Sequence, residues 1–420
     1  MAQGTHNRRM GNDSSSPNAS AFCLSILLVC LGIKFVAADS DPFVSTHAVG
    51  INYGRVADNL PTPAKAVELM KSINAGYVKI YDADSDVLKA LANSSLPVVI
   101  TIPNDEILGI ASSTSTSDQW VQTNVVPYYP LTKISMIMVG NEILSYPSLQ
   151  STWTQLVPAM QNIHNSLQKN NLDSSIKVTT SVAMDAFSSS YPPSNGTFKE
   201  AIATSVIKPM LSFLDSTDSY FFLDVYPFFA WNDNPVNISL NYALFGLSTT
   251  NVEDGTLGYT NILDAQLDAA IAAMQALGYD DVKLAISETG WPTKGDSSGA
   301  TVANAAHYNT RLVSKLLSNA GTPRRPKTFF PTFVFALFNE DLKSGAATEQ
   351  NWGVFYADGS PVYDIDLSAV NLTNGVVKLS DAPASSASSS SSIFFGQLFW
   401  AVFSCSTNLV LLFIISRLGF

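Results

Sequence analysis

Eight short runs of apolar and β-branched residues, each followed by a helix-like segment, govern what this chain can become. They read AVGINYG, YVKIYD, PVVITIP, ISMIMVG, IKVTTSVA, SYFFLDVYPFF, DVKLAISE and TFFPTFVFALF, all between Ser45 and Asp366. The runs are too continuous for half-exposed strands, and suit a parallel sheet covered on both faces. The segments between them carry helix grammar. TPAKAVELMKSINAG opens on Thr-Pro and stops at Gly76, while YTNILDAQLDAAIAAMQALGY and TVANAAHYNTRLVSKLLSNAG end on Gly278 and Gly321. This alternation predicts an α/β fold, a closed (β/α)8 TIM barrel, as a single domain over 39–378. An open doubly wound sheet shares the periodicity, but its usual Gly-x-Gly-x-x-Gly turn is absent. The excess over a bare barrel falls in an enlarged loop after the sixth strand, FFAWNDNPVNISLNYALFGLSTTNVEDGT.

The two ends differ from the middle. Arg8 and Arg9 precede the apolar run AFCLSILLVCLGIKFVAA, which predicts a cleaved secretory signal over 1–38. A signal anchor is the rival reading, because Lys34 interrupts the run. The Ser-rich stretch 379–392 followed by an apolar tail, 393–420, predicts a glycolipid (GPI) anchor with the tail removed. An ordinary membrane span is the rival there. Cys23, Cys30 and Cys405, the three cysteines of the chain, all fall in the trimmed segments, so no disulfide is expected and stability must come from a large core. Sequons at Asn93, Asn195, Asn237 and Asn371 fit a secreted surface, placed on the plasma membrane or in the cell wall. A net charge of -11 argues against a nucleic-acid partner, and nothing demands more than a monomer.

If the barrel is right, its site lies at the carboxyl ends of the strands. Glu142 closes the fourth strand and Glu288 the seventh, so both face one cup. Two carboxyls across a cleft are the minimal apparatus for breaking a glycosidic bond. Tyr53, Tyr81, Asp82, Tyr226, Asn339 and Glu340 end neighbouring strands. Trp291, Trp352, Phe229 and Trp231 fall in or beside the rim loops, where aromatic rings could meet the apolar faces of sugars. Core packing is the competing role for each ring. The four histidines form no ligand-spaced pair. No Gly-x-Ser-x-Gly elbow or phosphate-binding loop occurs, and neither metal nor cofactor is expected.

Seven stretches in order, VGINYGR, VKIYDAD, MVGNEIL, DVYPFFAW, SETGWPTKG, FALFNEDLK and NWGVFYADGSPVYDI, resemble the plant β-1,3-glucanases of glycoside hydrolase family 17. The resemblance spans roughly Val49 to Ile365. It implies the (β/α)8 barrel and retaining endo-hydrolysis of callose-like β-1,3-glucan through a covalent glycosyl-enzyme, without a carbohydrate-binding module. By residue, it implies Glu142 as proton donor and Glu288 as nucleophile, with carboxyls about 5 to 5.5 Å apart. Asn141 resembles the asparagine that bonds the 2-hydroxyl of the sugar. Glu340, Lys343 and Glu349 match an auxiliary network, and Tyr53 and Tyr226 match cleft tyrosines. The sequence departs at FNEDLKSGAATEQNWG, where relatives often carry a PGPTSER turn, so Gln350 stands in place of an arginine. Two alternatives to hydrolysis are a β-glucan transglycosylase and a catalytically silent cell-surface glucan-binding protein.

Overall fold

The computed structural model describes Phe43 and residues 48–368 except Ser248. The expected leader, the Ser-rich stretch, the tail and Asn371 lie outside the described residues. Parallel strands β1 (Gly50–Tyr53), β2 (Val78–Ile80), β3 (Pro97–Ile102), β4 (Lys133–Val139), β5 (Lys177–Thr179), β6 (Ser181–Ala183), β7 (Tyr220–Asp224), β8 (Lys283–Thr289) and β9 (Thr332–Val334) form one sheet. Their spatial order is β5-β4-β3-β2-β1-β9-β8-β7-β6. The fifth and sixth are halves of one run, with Thr180 between them. The first half pairs with β4 through Met136 and Lys177, the second with β7 through Ser181 and Phe222. One stave thus stands at both ends of the sheet, which closes into the eight-staved barrel that the alternation predicts.

Helices wrap the outside, and their boundaries follow capping chemistry. Thr62, Asn261 and Thr301 accept backbone N–H bonds at the starts of Pro63–Ser72, Ile262–Ala276 and Val302–Leu317. Each such cap is worth about 1 kcal/mol. Gly278 and Gly321 follow the last two helices with φ of 89° and 69°, the left-handed conformation glycine adopts without penalty. The first helix stops earlier than Gly76 suggests, because Asn74 takes the left-handed position. Gly76 answers a different need: a Cβ there would lie 2.3 Å from that of Ala48.

The sixth apolar run also ends early. Its strand stops at Asp224, and Pro227 begins a helix, Pro227–Asp233. A second short helix, Leu240–Ala243, and a hairpin of Val252–Asp254 with Leu257–Tyr259 fill the rest of the enlarged loop.

The main core lies between barrel and helices, and a second layer closes the barrel's floor. There Phe43 meets Tyr77 edge-on at 4.8 Å and also touches Tyr220, Phe222 and Phe333. Burying each such ring contributes about 1.5–3 kcal/mol. Above this floor the inward side chains become polar, and that transition makes the site.

Candidate active site

Side chains two apart along a strand share a face. On β2 and its flanks this sends Tyr77, Lys79 and Tyr81 inward in turn, from floor to rim. Lys79 has no exposed surface. Its ammonium donates to Oε1 of Glu288 at 2.8 Å, to Oγ of Ser287 at 2.6 Å and to Oδ1 of Asn141 at 3.0 Å. All three of its N–H bonds are therefore used, and the Tyr81 ring lies 4.6 Å away.

Glu288 reaches this ammonium because β8 breaks register against β7 between Ile286 and Glu288, so that Ser287 and Glu288 both serve the interior. Tyr81 donates its hydroxyl to Oε1, and Tyr226 donates to Oε2, each at 2.7 Å. Burial pushes the carboxyl's proton affinity up. The Lys79 charge, its hydrogen bond and the two phenols outweigh burial and hold Glu288 below the usual range. Burial and the Glu288 charge push both phenols well up, so each keeps the proton it donates.

Glu142 is positioned by backbone rather than by partners. Gly140 and Glu142 have φ of 74° and 48°, and this paired left-handed turn swings the chain off the end of β4. Asn104 clamps it, accepting from the Asn141 N–H at 2.8 Å and donating to the Asn141 carbonyl at 2.9 Å. The Glu142 N–H donates to Oγ of Ser181 at 3.1 Å. Burial, then the Asp224 and Glu288 charges, push the half-buried Glu142 carboxyl well above the usual range. The two glutamates are thus pushed in opposite directions, one above and one below the usual carboxylate range, a pairing suited to an acid and an ionised nucleophile.

Asn141 accepts from Lys79 and, at 3.2 Å, from Ser181, both at Oδ1. These bonds hold the amide through its oxygen. Glu340 is buried, accepts the Val56 N–H at 2.8 Å and lies 3.7 Å from the Lys343 ammonium. Burial pushes the Glu349 carboxyl up, while the Lys343 charge pulls it down. Glu340 therefore anchors the first loop, with the Lys343 ammonium nearby. Tyr53 is almost wholly buried and packs edge-on against Phe338.

The aromatic residues divide sharply. Phe229 is 38% exposed and rests against Tyr226 and Trp352. It has a face to offer. Trp291, expected as a rim platform, is fully buried and donates its indole N–H to the Gly299 carbonyl at 2.8 Å. It is core, and the expectation is corrected: the ring packs against Phe228, Trp231 and Tyr308, which take the place a sugar would need. Trp352 and Trp231 are buried too. Of the sequons, Asn93, Asn195 and Asn237 are exposed.

Lys79 and Asp224 escaped the sequence reading. Both sit inside apolar runs, where a charged residue reads as outward-facing. The period of two was the available signal: each lies two positions before a tyrosine, Tyr81 or Tyr226, taken for the cup.

A parallel eight-staved barrel with two glutamates at its carboxyl-end rim, one pushed well above and one held below the usual carboxylate range, is the arrangement of a glycoside hydrolase of the TIM-barrel type. The family model described as glycosyl hydrolases family 17 matches residues 49–367, and the chain belongs to that family. A relative from Arabidopsis thaliana, named as a probable glucan endo-1,3-beta-glucosidase, is 50% identical over 76% of this chain and 68% of its own length. A solved β-1,3-glucanase and pollen allergen of Cryptomeria japonica superposes with a TM-score of 0.74 at 42% identity, covering 76% of this chain and 99% of that one. A plant β-glucan endohydrolase gives 0.71 at 37% identity, covering 76% of this chain and all of its own.

Proposed function

We propose that this protein cuts internal β-1,3-glucosidic bonds of callose-like cell-wall glucan, with Glu142 as acid and Glu288 as nucleophile. One observation carries the reading: Lys79, Tyr81 and Tyr226 all donate to the Glu288 carboxylate and hold it below the usual range, while burial and neighbouring negative charge push Glu142 well above it. The named activities of the relative and of the Cryptomeria structure support the substrate class.

In the first step Glu142 gives its proton to the glycosidic oxygen as that bond to the anomeric carbon breaks. An Oε of Glu288 attacks the same carbon, forming a glycosyl ester. In the second, Glu142, now a carboxylate, takes a proton from water. The resulting oxygen nucleophile displaces Glu288 and restores both groups. The Asn141 amide bonds the sugar's 2-hydroxyl, and Phe229 presents a stacking face to a neighbouring ring. Two inversions give retention of configuration.

Release of new reducing ends from linear β-1,3-glucan by the purified protein, beside its Glu288→Ala variant, tests this. Internal cutting by the wild type with a loss of several orders of magnitude in the variant is expected. Binding without cutting by both proteins would replace the reading with that of a glucan-binding protein. Proton NMR of the first anomer released checks retention.

The signal-like start, the exposed sequons and the Ser-rich stretch with its apolar tail support a secreted glycoprotein held on the plasma membrane by a glycolipid. Release from membranes by a phosphatidylinositol-specific phospholipase tests the anchor, and an unreleased protein would point to a membrane span.

A further inference from the structure

Asp224 ends β7 inside the barrel, and its Cα is in register with that of Glu288 on one side and Ala183 on the other. It is 2% exposed, and neither carboxyl oxygen has a partner at full hydrogen-bond geometry, the Ser181 and Ser287 hydroxyls interacting with it more weakly. This is costly for a carboxyl, since an unpartnered buried polar group loses its hydration without return. A carboxyl in this position acts on its neighbours through charge whenever it ionises.

The groups that interact electrostatically with Asp224 come from several staves. They are Glu288 and Ser287 from β8, Ser181 from β6, Lys79 and Tyr81 from β2 and its end, Glu142 beyond β4, and Tyr226 two residues further along its own chain. The carboxyls of Glu288, Glu142 and Asp224 all feel the charge of the Lys79 ammonium. That ammonium is hydrogen-bonded to Glu288 and makes no such bond to Asp224.

We propose that Asp224 is a positioning residue of the hydrolysis: its carboxyl, sealed in the barrel near both glutamates, supplies the charge that keeps the transferable proton on Glu142. The inference rests on the glucanase reading above. Burial and the Glu288 charge push the Asp224 carboxyl up to about 7, with Lys79 and the Ser181 and Ser287 hydroxyls pulling the other way. Below that range Asp224 holds its own proton and leaves Glu142 alone. Above it, the new negative charge opposes removal of the proton from Glu142, and the acid outlasts the pH at which it would otherwise fail. Asp224 touches neither sugar nor leaving group in this scheme; it acts through Glu142.

The test is the pH dependence of kcat/KM on linear β-1,3-glucan for the full-length wild type, Asp224→Asn and Asp224→Ala, with Tm measured for each. In the Asn variant the basic limb moves to lower pH by about one unit. The acid limb stays, because Asp224 is already neutral there, and Tm does not fall. The Ala variant moves the same limb in the same direction and guards against a misplaced amide. A basic limb that coincides with wild type in a folded variant overturns the proposal, as does an equal displacement of both limbs. If wild type cuts no β-glucan at all, the glucanase reading itself falls and this inference with it.

Discussion

The ammonium of Lys79 stands 2.8 Å from Oε1 of Glu288, and both side chains are buried at the centre of the barrel. A buried pair of this kind is a poor source of net stability, because desolvation offsets most of the attraction. Its value lies in fixing a protonation state. The Tyr81 and Tyr226 hydroxyls complete the shell, so Glu288 is ionised and aimed before any sugar arrives.

Lys79→Met removes the charge that outweighs burial at Glu288. The acid limb of kcat/KM should move to higher pH, and the rate should fall at every pH. Glu288, with a depressed proton affinity in the fold, contributes stability above the unfolded carboxyl range, lost as pH falls through its folded value. The variant lacks that contribution. It should be less stable at pH 7 by about 3–5 kcal/mol, the cost of stranding one member of a buried pair, with a smaller difference at pH 3. Denaturant melts at the two pH values check this.

Tyr226→Phe deletes one hydrogen bond to Oε2 of Glu288 while keeping the ring against Phe229 and Trp352. A hydrogen bond to a charged group contributes about 1.5–3 kcal/mol, so kcat/KM should drop roughly ten- to hundred-fold. Steady-state kinetics on a soluble β-1,3-glucan measure it, and an unchanged kcat/KM would remove Tyr226 from the account.

Phe229→Ala should raise KM several-fold and leave Tm nearly unchanged, because the ring is 38% exposed. Trp291→Ala should do the reverse: it empties a fully buried site and should cost about 3–5 kcal/mol. Comparing KM and Tm across the two variants separates platform from core.

Asp268 is buried on the helix Ile262–Ala276, where one oxygen accepts from the Tyr259 hydroxyl and the Arg324 N–H while the other has no partner. Burial pushes its carboxyl up. The ionised form is thus disfavoured in the fold, a penalty present above the folded value and absent below the unfolded one, about pH 4. Asp268→Asn should therefore raise Tm by roughly 2 °C at pH 7, and the gain should vanish near pH 3. Calorimetry at both pH values decides it.

The barrel was legible because eight apolar runs cannot be covered on both faces in many ways. The strand-end positions of Glu142 and Glu288 were legible because each ends such a run, while their roles came from the family resemblance. Depth was not. Trp291 and Phe229 look alike in sequence, yet one is sealed and the other open, since exposure depends on loops folded over from elsewhere. The sixth run ran too far in the sequence reading because Phe228 and Phe229 continue its apolar character; Pro227, suited to a first helical turn, was the contrary signal. Lys79 and Asp224 needed the phase of the strand, which a nearby tyrosine supplies only once that tyrosine is known to point inward.

The stave broken at Thr180 joins the two ends of the sheet, and Ser181 on its second half receives the Glu142 N–H. Closing the seam thus also supplies one of the groups that seat the proposed acid, so a substitution that unsettles the stave at Thr180 should register in activity as well as in stability.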